Sequence, residues 1–316
     1  MRHINDEITS MLVLQGYQTP KYIASSIGAS ERTVRRHLDD LIKRGTIKMV
    51  AVQNPVLCGF KAWSKIGIKI EPGCLETVAR TLVEHPAVYF VAYSLGRYDI
   101  IIAVQFDTIN RLAHFVSSEL TVIKGISNSE TLILASPRKY YSFYWPNPEA
   151  LNQDELVTDN ANCLLNDLDR DIINELREDA LVSTSIISSK LGVSDMMIHK
   201  RIKRMLTGNV LTTQVVLNPQ ILGNEVWATM GIVINKRNAN DVIDIILKNS
   251  QIYLASVSLG RFNVVIAGHF QNLDLLNSYV TRELVSIDGV GSVETFVHNK
   301  PLKYHNVPLF ELEAKE

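Results

Sequence analysis

Ser94-Leu95-Gly96-Arg97 recurs 164 residues further on as Ser258-Leu259-Gly260-Arg261, and the same offset aligns the chain with itself on both sides of that tetrapeptide. Toward the C-terminus, Glu119-Leu120 falls on Glu283-Leu284, Gly125 on Gly289, Glu130-Thr131 on Glu294-Thr295 and Lys139-Tyr140 on Lys303-Tyr304. Toward the N-terminus, Trp63 falls on Trp227, Gly59 on Gly223, Asn54-Pro55 on Asn218-Pro219, and Gly28 and Ser30 on Gly192 and Ser194. The register runs from about residue 22 to residue 140 without a gap. Tryptophan, proline and glycine in one uninterrupted register point to a duplicated unit of two parts.

The first part reads as a helix-turn-helix, over residues 1–55 and again over 167–219. In the first copy, Pro20 to Ile27 has helical spacing, Gly28-Ala29 makes a tight turn, and Ser30 is a good N-cap for a helix over Glu31–Arg44. That helix lines up Val34, Leu38 and Leu41 on one stripe and turns Arg32, Arg36 and Lys43 outward, with Arg35 at the edge. The second copy repeats the pattern around Gly192-Val193-Ser194, with Ile198, Ile202 and Met205 inside and His199, Lys200, Lys203 and Arg204 outside. Two short helices joined by a glycine turn, the second basic on its outer face, suit duplex DNA. Lysine and arginine neutralise phosphates, and the first turns of the second helix reach base edges in the major groove. Ser30, Arg32, Thr33, Arg35, Arg36 and Lys43 are therefore the expected DNA contacts of the first copy. Ser194, His199, Lys200, Lys203 and Arg204 are those of the second. Residues 1–50 carry a net charge of +3 and residues 167–218 zero, and Met196 and Met197 replace Arg32 and Thr33, so the first copy is expected to bind DNA more strongly. His37 and His199 lie on these helices, where phosphate contact or solvent exposure accounts for them.

The second part, residues 56–140 and 220–305, reads as βαββαβ: strands over 62–70, 87–95, 99–106 and 126–135, with helices over 75–84 and 108–120. This order describes a ferredoxin-like sandwich, a four-stranded antiparallel sheet with two helices on one face. The fold class is α+β, with two winged helix-turn-helix domains each followed by a ferredoxin-like βαββαβ domain. Apolar residues on both strand faces, as in Ile100-Ile101-Ile102-Ala103-Val104, require the open face of the sheet to be covered. Residues 141–166 read as a linker and 306–316 as a tail.

The totals exclude more than they assign. The 316 residues carry a net charge of -1, so DNA contact must come from a local patch. No apolar run reaches the length that spans a bilayer, and the N-terminus lacks a signal-peptide core, so a cytoplasmic protein with no membrane partner is expected. Cys58, Cys74 and Cys163 form no CxxC pair. No phosphate-binding glycine loop and no HExxH is present, and neither a metal nor a cofactor is expected.

The helix-turn-helix followed by βαββαβ, with Gly96-Arg97-Tyr98-Asp99 between the central strands, resembles the Lrp/AsnC (feast/famine) family of transcriptional regulators. The resemblance covers both copies. Leu168-Asp169-Arg170-Asp171-Ile172-Ile173 also resembles the family's first helix, of which Ile4-Asn5-Asp6-Glu7-Ile8 keeps a shorter match. It implies a sequence-specific DNA-binding regulator that responds to an amino acid or related small molecule. By resemblance the effector maps onto Gly96, Tyr98 and Asp99 in the first copy and onto Gly260, Phe262 and Asn263 in the second, where an amide replaces the acid. From the residues alone, Gly96 and Gly260 equally suit a plain hairpin turn. The family pairs its second domains into dimers, so the two copies form a pseudo-dimer within the chain or each pairs with a second chain. Sirohaem decarboxylases resemble the same architecture and supply the alternative, an enzyme, although His114 has no histidine at the repeat offset.

Overall fold

The computed structural model describes residues 2–15, 19–55, 57–140, 165–208, 210–217, 226–304 and 307–308. Most of the expected linker and tail lie outside them. Along the chain come helices α1 (Arg2–Gln15), α2 (Pro20–Ile27) and α3 (Glu31–Lys43), then strand β1 (Ile47–Gln53). A βαββαβ series follows: β2 (Ala62–Ile70), α4 (Leu75–Glu84), β3 (Val88–Leu95), β4 (Ile100–Phe106), α5 (Ile109–His114), which runs on as a π-helical stretch to Leu120, and β5 (Ile126–Tyr140). The same orders recur as α6 (Asp167–Glu178), α7 (Thr184–Leu191), α8 (Asp195–Thr207) and β6 (Leu211–Leu217). After them come β7 (Val226–Ile234), α9 (Ala239–Ile246), β8 (Ile252–Leu259), β9 (Val264–Phe270), α10 (Leu273–Ser278) and β10 (Val290–Tyr304), with β11 (Val307–Pro308) added to β10.

These elements form two compact units. One holds α1 to β1 and α6 to β6. In it, β1 and β6 pair antiparallel, and the register sets Val50 opposite Gln214, its own counterpart at the 164-residue offset. A winged domain would follow its second helix with a hairpin. Among the described residues each stretch supplies a single strand, and the two strands satisfy each other's backbone groups instead. Val34, Leu38 and Leu41 are buried as the helical spacing requires, and so are Ile198 and Met205.

The other unit holds the two βαββαβ series. In the first, β3-β4-β2-β5 is an antiparallel sheet, with α4 and α5 on one face closing a core of Ile66, Ile68, Val78, Leu82, Ile102 and Phe115. In the second, β8-β9-β7-β10 repeats that order over Met230, Ile232, Val242, Ile246, Ile266 and Phe270. The edges then join: β5 pairs with β8, and β10 pairs with β3 as well as β7, so eight strands close into a ring. Each of these eight strands thereby pairs with two neighbours, β5 and β10 meeting one along their first half and the other along their second. The strand faces turned away from the helices cover one another, which is where Trp63, Leu132, Leu134, Trp227 and Phe296 are buried. The joints use β5 and β10 beyond the expected end at residue 135, where Pro137 and Pro301 sit at shifts of register. Proline is tolerated there because a bulge does not call on its missing N–H.

Candidate nucleic-acid interface and the glycine turns

The turn before α3 is built as its sequence requires. Gly28 takes a left-handed conformation (φ 68°) and Gly192 repeats it (φ 67°), a region that favours glycine. Ser30 Oγ accepts from Thr33 N at 3.1 Å, and Ser194 Oγ accepts from Met197 N at 3.3 Å. Both serines therefore cap their helices, and Ser30 Oγ also lies 2.8 Å from Thr33 Oγ1. Arg32, Arg36 and Lys43 project into solvent from α3, and Arg35 is exposed while paired to Glu31 at 2.6 Å. On α8, His199, Lys200 and Lys203 are exposed, as are Met197 and, at 81%, Met196.

One side chain on these helices differs from expectation, and Arg204, exposed as expected, is also engaged in an ion pair. His37 is buried, and its Nδ1 lies 2.7 Å from Asn5 Oδ1 on α1, so neither solvent nor phosphate explains it. Arg204 is tied to the buried carboxylate of Asp169 on α6 at 2.7 Å, and Arg201 reaches the same carboxylate at 2.8 Å. Burial alone would raise the Asp169 carboxyl, but hydrogen bonds from Arg201, the Asn166 N–H and Arg204 outweigh it and hold the group below its ordinary value. Asn5 and His37 lie 164 residues before Asp169 and Arg201, so an asparagine–histidine hydrogen bond in one stretch stands where an ion pair stands in the other. The correspondence thus extends into α1, where sequence alone showed only a short match.

At the turn between β3 and β4, Asp99 serves the fold. Its Oδ2 accepts from Ile70 N at 2.8 Å and its Oδ1 from Lys69 Nζ at 2.7 Å. Burial raises its carboxyl and these bonds more than offset that, leaving it below the ordinary range. Asn263 makes the equivalent backbone bond, accepting from Ile234 N at 2.7 Å. An amide accepts that N–H as well as a carboxylate does, which accounts for the exchange. Tyr98 and Phe262 are buried, each ring lying where a Cβ on Gly67 or Gly231 would stand. Gly96 and Gly260 take positive φ (108° and 127°). Sequence reading missed Arg261, which bonds Glu130 at 2.8 Å, Tyr98 Oη at 3.2 Å and Glu294. Its only sequence signal was its place in the repeated tetrapeptide. Burial and the Glu130 hydrogen bond push the Tyr98 hydroxyl up to about 12.

The family model described as the Lrp/AsnC ligand binding domain matches residues 65–142, and that of the AsnC-type helix-turn-helix domain matches residues 165–206. An uncharacterised helix-turn-helix-type transcriptional regulator of Pyrococcus furiosus is 30% identical over 138 residues, which span 43% of this chain and 93% of the relative. The chain belongs to the Lrp/AsnC family. The regulatory protein AsnC of Escherichia coli is 25% identical over 43% of this chain and 91% of its own length. With AsnC-type DNA-binding and ligand-binding domains, this Lrp/AsnC protein is a DNA-binding transcriptional regulator. Among solved structures, the siroheme decarboxylase NirDL superposes with a TM-score of 0.58 at 11% identity, covering 95% of this chain and 92% of that one, a likeness of fold alone. Among the described residues no helix is long and apolar enough to cross a membrane, and no group of three His, Cys, Asp or Glu could hold a metal ion.

Proposed function

We propose that this Lrp/AsnC regulator is a tandem duplicate, one chain carrying two helix-turn-helix domains (residues 1–55 and 167–219) and two RAM-type domains (56–140 and 220–305), and that it binds DNA through α3 and α8 together. The observation that carries the reading is the outward face of α3, with Arg32, Arg35, Arg36 and Lys43 beyond a glycine turn and a serine cap, repeated in α8 by His199, Lys200 and Lys203. Two observations support the duplication. The two family matches fall in different halves of the chain, and each half contains the same element order. The β1–β6 register is also symmetric about Val50 opposite Gln214, the one pair of equivalent positions in it. Ser30 and Ser194 act by capping, and Arg204 by anchoring α6, so the phosphate contacts fall to the remaining basic groups. Met196 and Met197 present apolar surface suited to thymine methyl groups. Selection of DNA from a random library by the purified protein, followed by binding isotherms across a salt series, tests this. A linear fall of log affinity with log salt and an enriched sequence are expected, and salt-independent or sequence-blind binding would remove the reading.

The effector reading keeps the two turns at Gly96-Tyr98-Asp99 and Gly260-Phe262-Asn263, with an amino acid or related molecule as ligand. Because Asp99 already serves Lys69 and Ile70, contacts at the turns would fall to groups other than its carboxylate alone. A thermal-shift screen across the amino acids tests it, with a concentration-dependent rise for a small subset expected. Likeness of fold does not separate a regulator from a decarboxylase. Anaerobic incubation with sirohaem does, and no spectral change is expected.

A further inference from the structure

Lys65 on β2 and Thr229 on β7 occupy equivalent positions, and the lysine Nζ donates to Thr229 Oγ1 at 2.9 Å across the space between the two sheets. Equivalent residues in direct contact must straddle the pseudo-twofold axis that relates the halves. The edge registers locate the same axis independently: Ile133 opposite Leu259 is the counterpart of Val297 opposite Leu95, and Tyr140 opposite Leu254 that of Tyr304 opposite Phe90. Lys65 is only 4% exposed. The Thr229 hydroxyl also reaches His298 Nε2 at 2.8 Å, and the Phe90 ring lies 5.2 Å from the amine. Among the described residues no carboxylate pairs with Lys65, and His298 is the one titratable group bonded to its partner.

We propose that the Lys65–Thr229 pair selects the partner of each βαββαβ half: a first half pairs with a second half, and two first halves from separate chains are excluded. This rests on the duplicated reading above. A pair of first halves would set Lys65 against its own copy, two amines within hydrogen-bond distance and no acid to accept from them. The repulsion and the double desolvation act against that assembly alone, a penalty aimed at the wrong partner. A second pair weighs against the other like pairing, two second halves, which would set Arg261 against Phe262 in place of the Tyr98 hydroxyl. Arg261 of the second half bonds Glu130 and the Tyr98 hydroxyl of the first, whereas the reciprocal position carries Phe262, which has no hydroxyl to offer Arg97.

The test uses the full-length chain. Thr229→Lys places two amines on the axis, and Thr229→Met is the control of similar bulk without charge. At pH 6 the Lys variant is expected to melt at least about 10 °C below the Met variant. The gap should shrink to about 3 °C or less at pH 10.5, and Lys65→Met combined with Thr229→Lys should return to the level of Thr229→Met. Equal melting of the two single variants at pH 6 would show that paired amines are tolerated and would overturn the proposal. Ile133→Cys with Leu259→Cys, in a chain lacking the native cysteines, checks the premise separately. A disulfide within one chain is expected, and its absence would instead overturn the pairing of the two halves.

Discussion

Lys65 is the residue at which sequence and environment are most at odds. Burial lowers its amine from 10.5 to about 7, with a hydroxyl rather than a carboxylate as partner. The folded chain therefore holds this proton less tightly than the unfolded chain. Below pH 7 both states are protonated and the full penalty is present. As pH rises from about 7 to 10.5 the penalty fades. Lys65→Met should thus stabilise the protein at pH 6 by roughly 3–5 kcal/mol, and the advantage should vanish above pH 10.5, as read from denaturant unfolding at several pH values. Asp169 shows the opposite arrangement, a buried carboxylate satisfied by two arginines. Breaking such a pair from one side costs about 3–5 kcal/mol. Asp169→Asn and Arg201→His should each destabilise, yet the double variant, which installs the pair used by Asn5 and His37, should recover at least half of the summed loss. A double-mutant cycle of unfolding free energies measures this, and strictly additive losses would refute the equivalence.

Among the elements, α3 and α8 share turn, cap and buried stripe and differ in what they show to solvent. Arg32 and Arg36 face out from α3 where α8 offers Met196 and Lys200. Each lost phosphate contact should lower the salt slope by about one unit. Arg32→Ala with Arg36→Ala is therefore expected to weaken DNA binding more, and flatten its salt dependence more, than Lys200→Ala with Lys203→Ala. Equal losses in isotherms across a salt series would mean symmetric use of the two helices. Strand β2 illustrates a different constraint, since the Tyr98 ring lies flat where Gly67 has no side chain. A Cβ there would stand 2.4 Å from the ring and force it off. Gly67→Ala and Gly231→Ala should each cost about 1–3 kcal/mol in unfolding experiments.

For the whole molecule, the decisive feature is closure of eight strands within one chain. A ring closed in cis does not depend on concentration, because its two halves are tethered. Amide exchange of β3, β5, β8 and β10 should be equally slow at low and high protein concentration. Protection of these strands that weakened on dilution would place their pairing between chains instead.

The repeat, the helix stripes, the turn glycines, the serine caps and the βαββαβ order were all legible in the sequence, because each depends on residues close together along the chain or on a fixed offset. Family membership followed from the same signals. What the sequence left open was settled by contacts between residues far apart. The expected wing became a strand pairing between β1 and β6, because an unpaired strand finds its hydrogen bonds wherever another strand is presented. His37, polar on a helical wheel, turned inward because Asn5 met it from α1, and Arg204 stayed exposed while its guanidinium reached Asp169 on α6. The acid at Asp99 and the amide at Asn263 proved to hold a turn. The choice between pairing within the chain and pairing across chains also lay beyond local pattern. It rests on which edges meet, and on a lysine buried against a threonine 164 residues away.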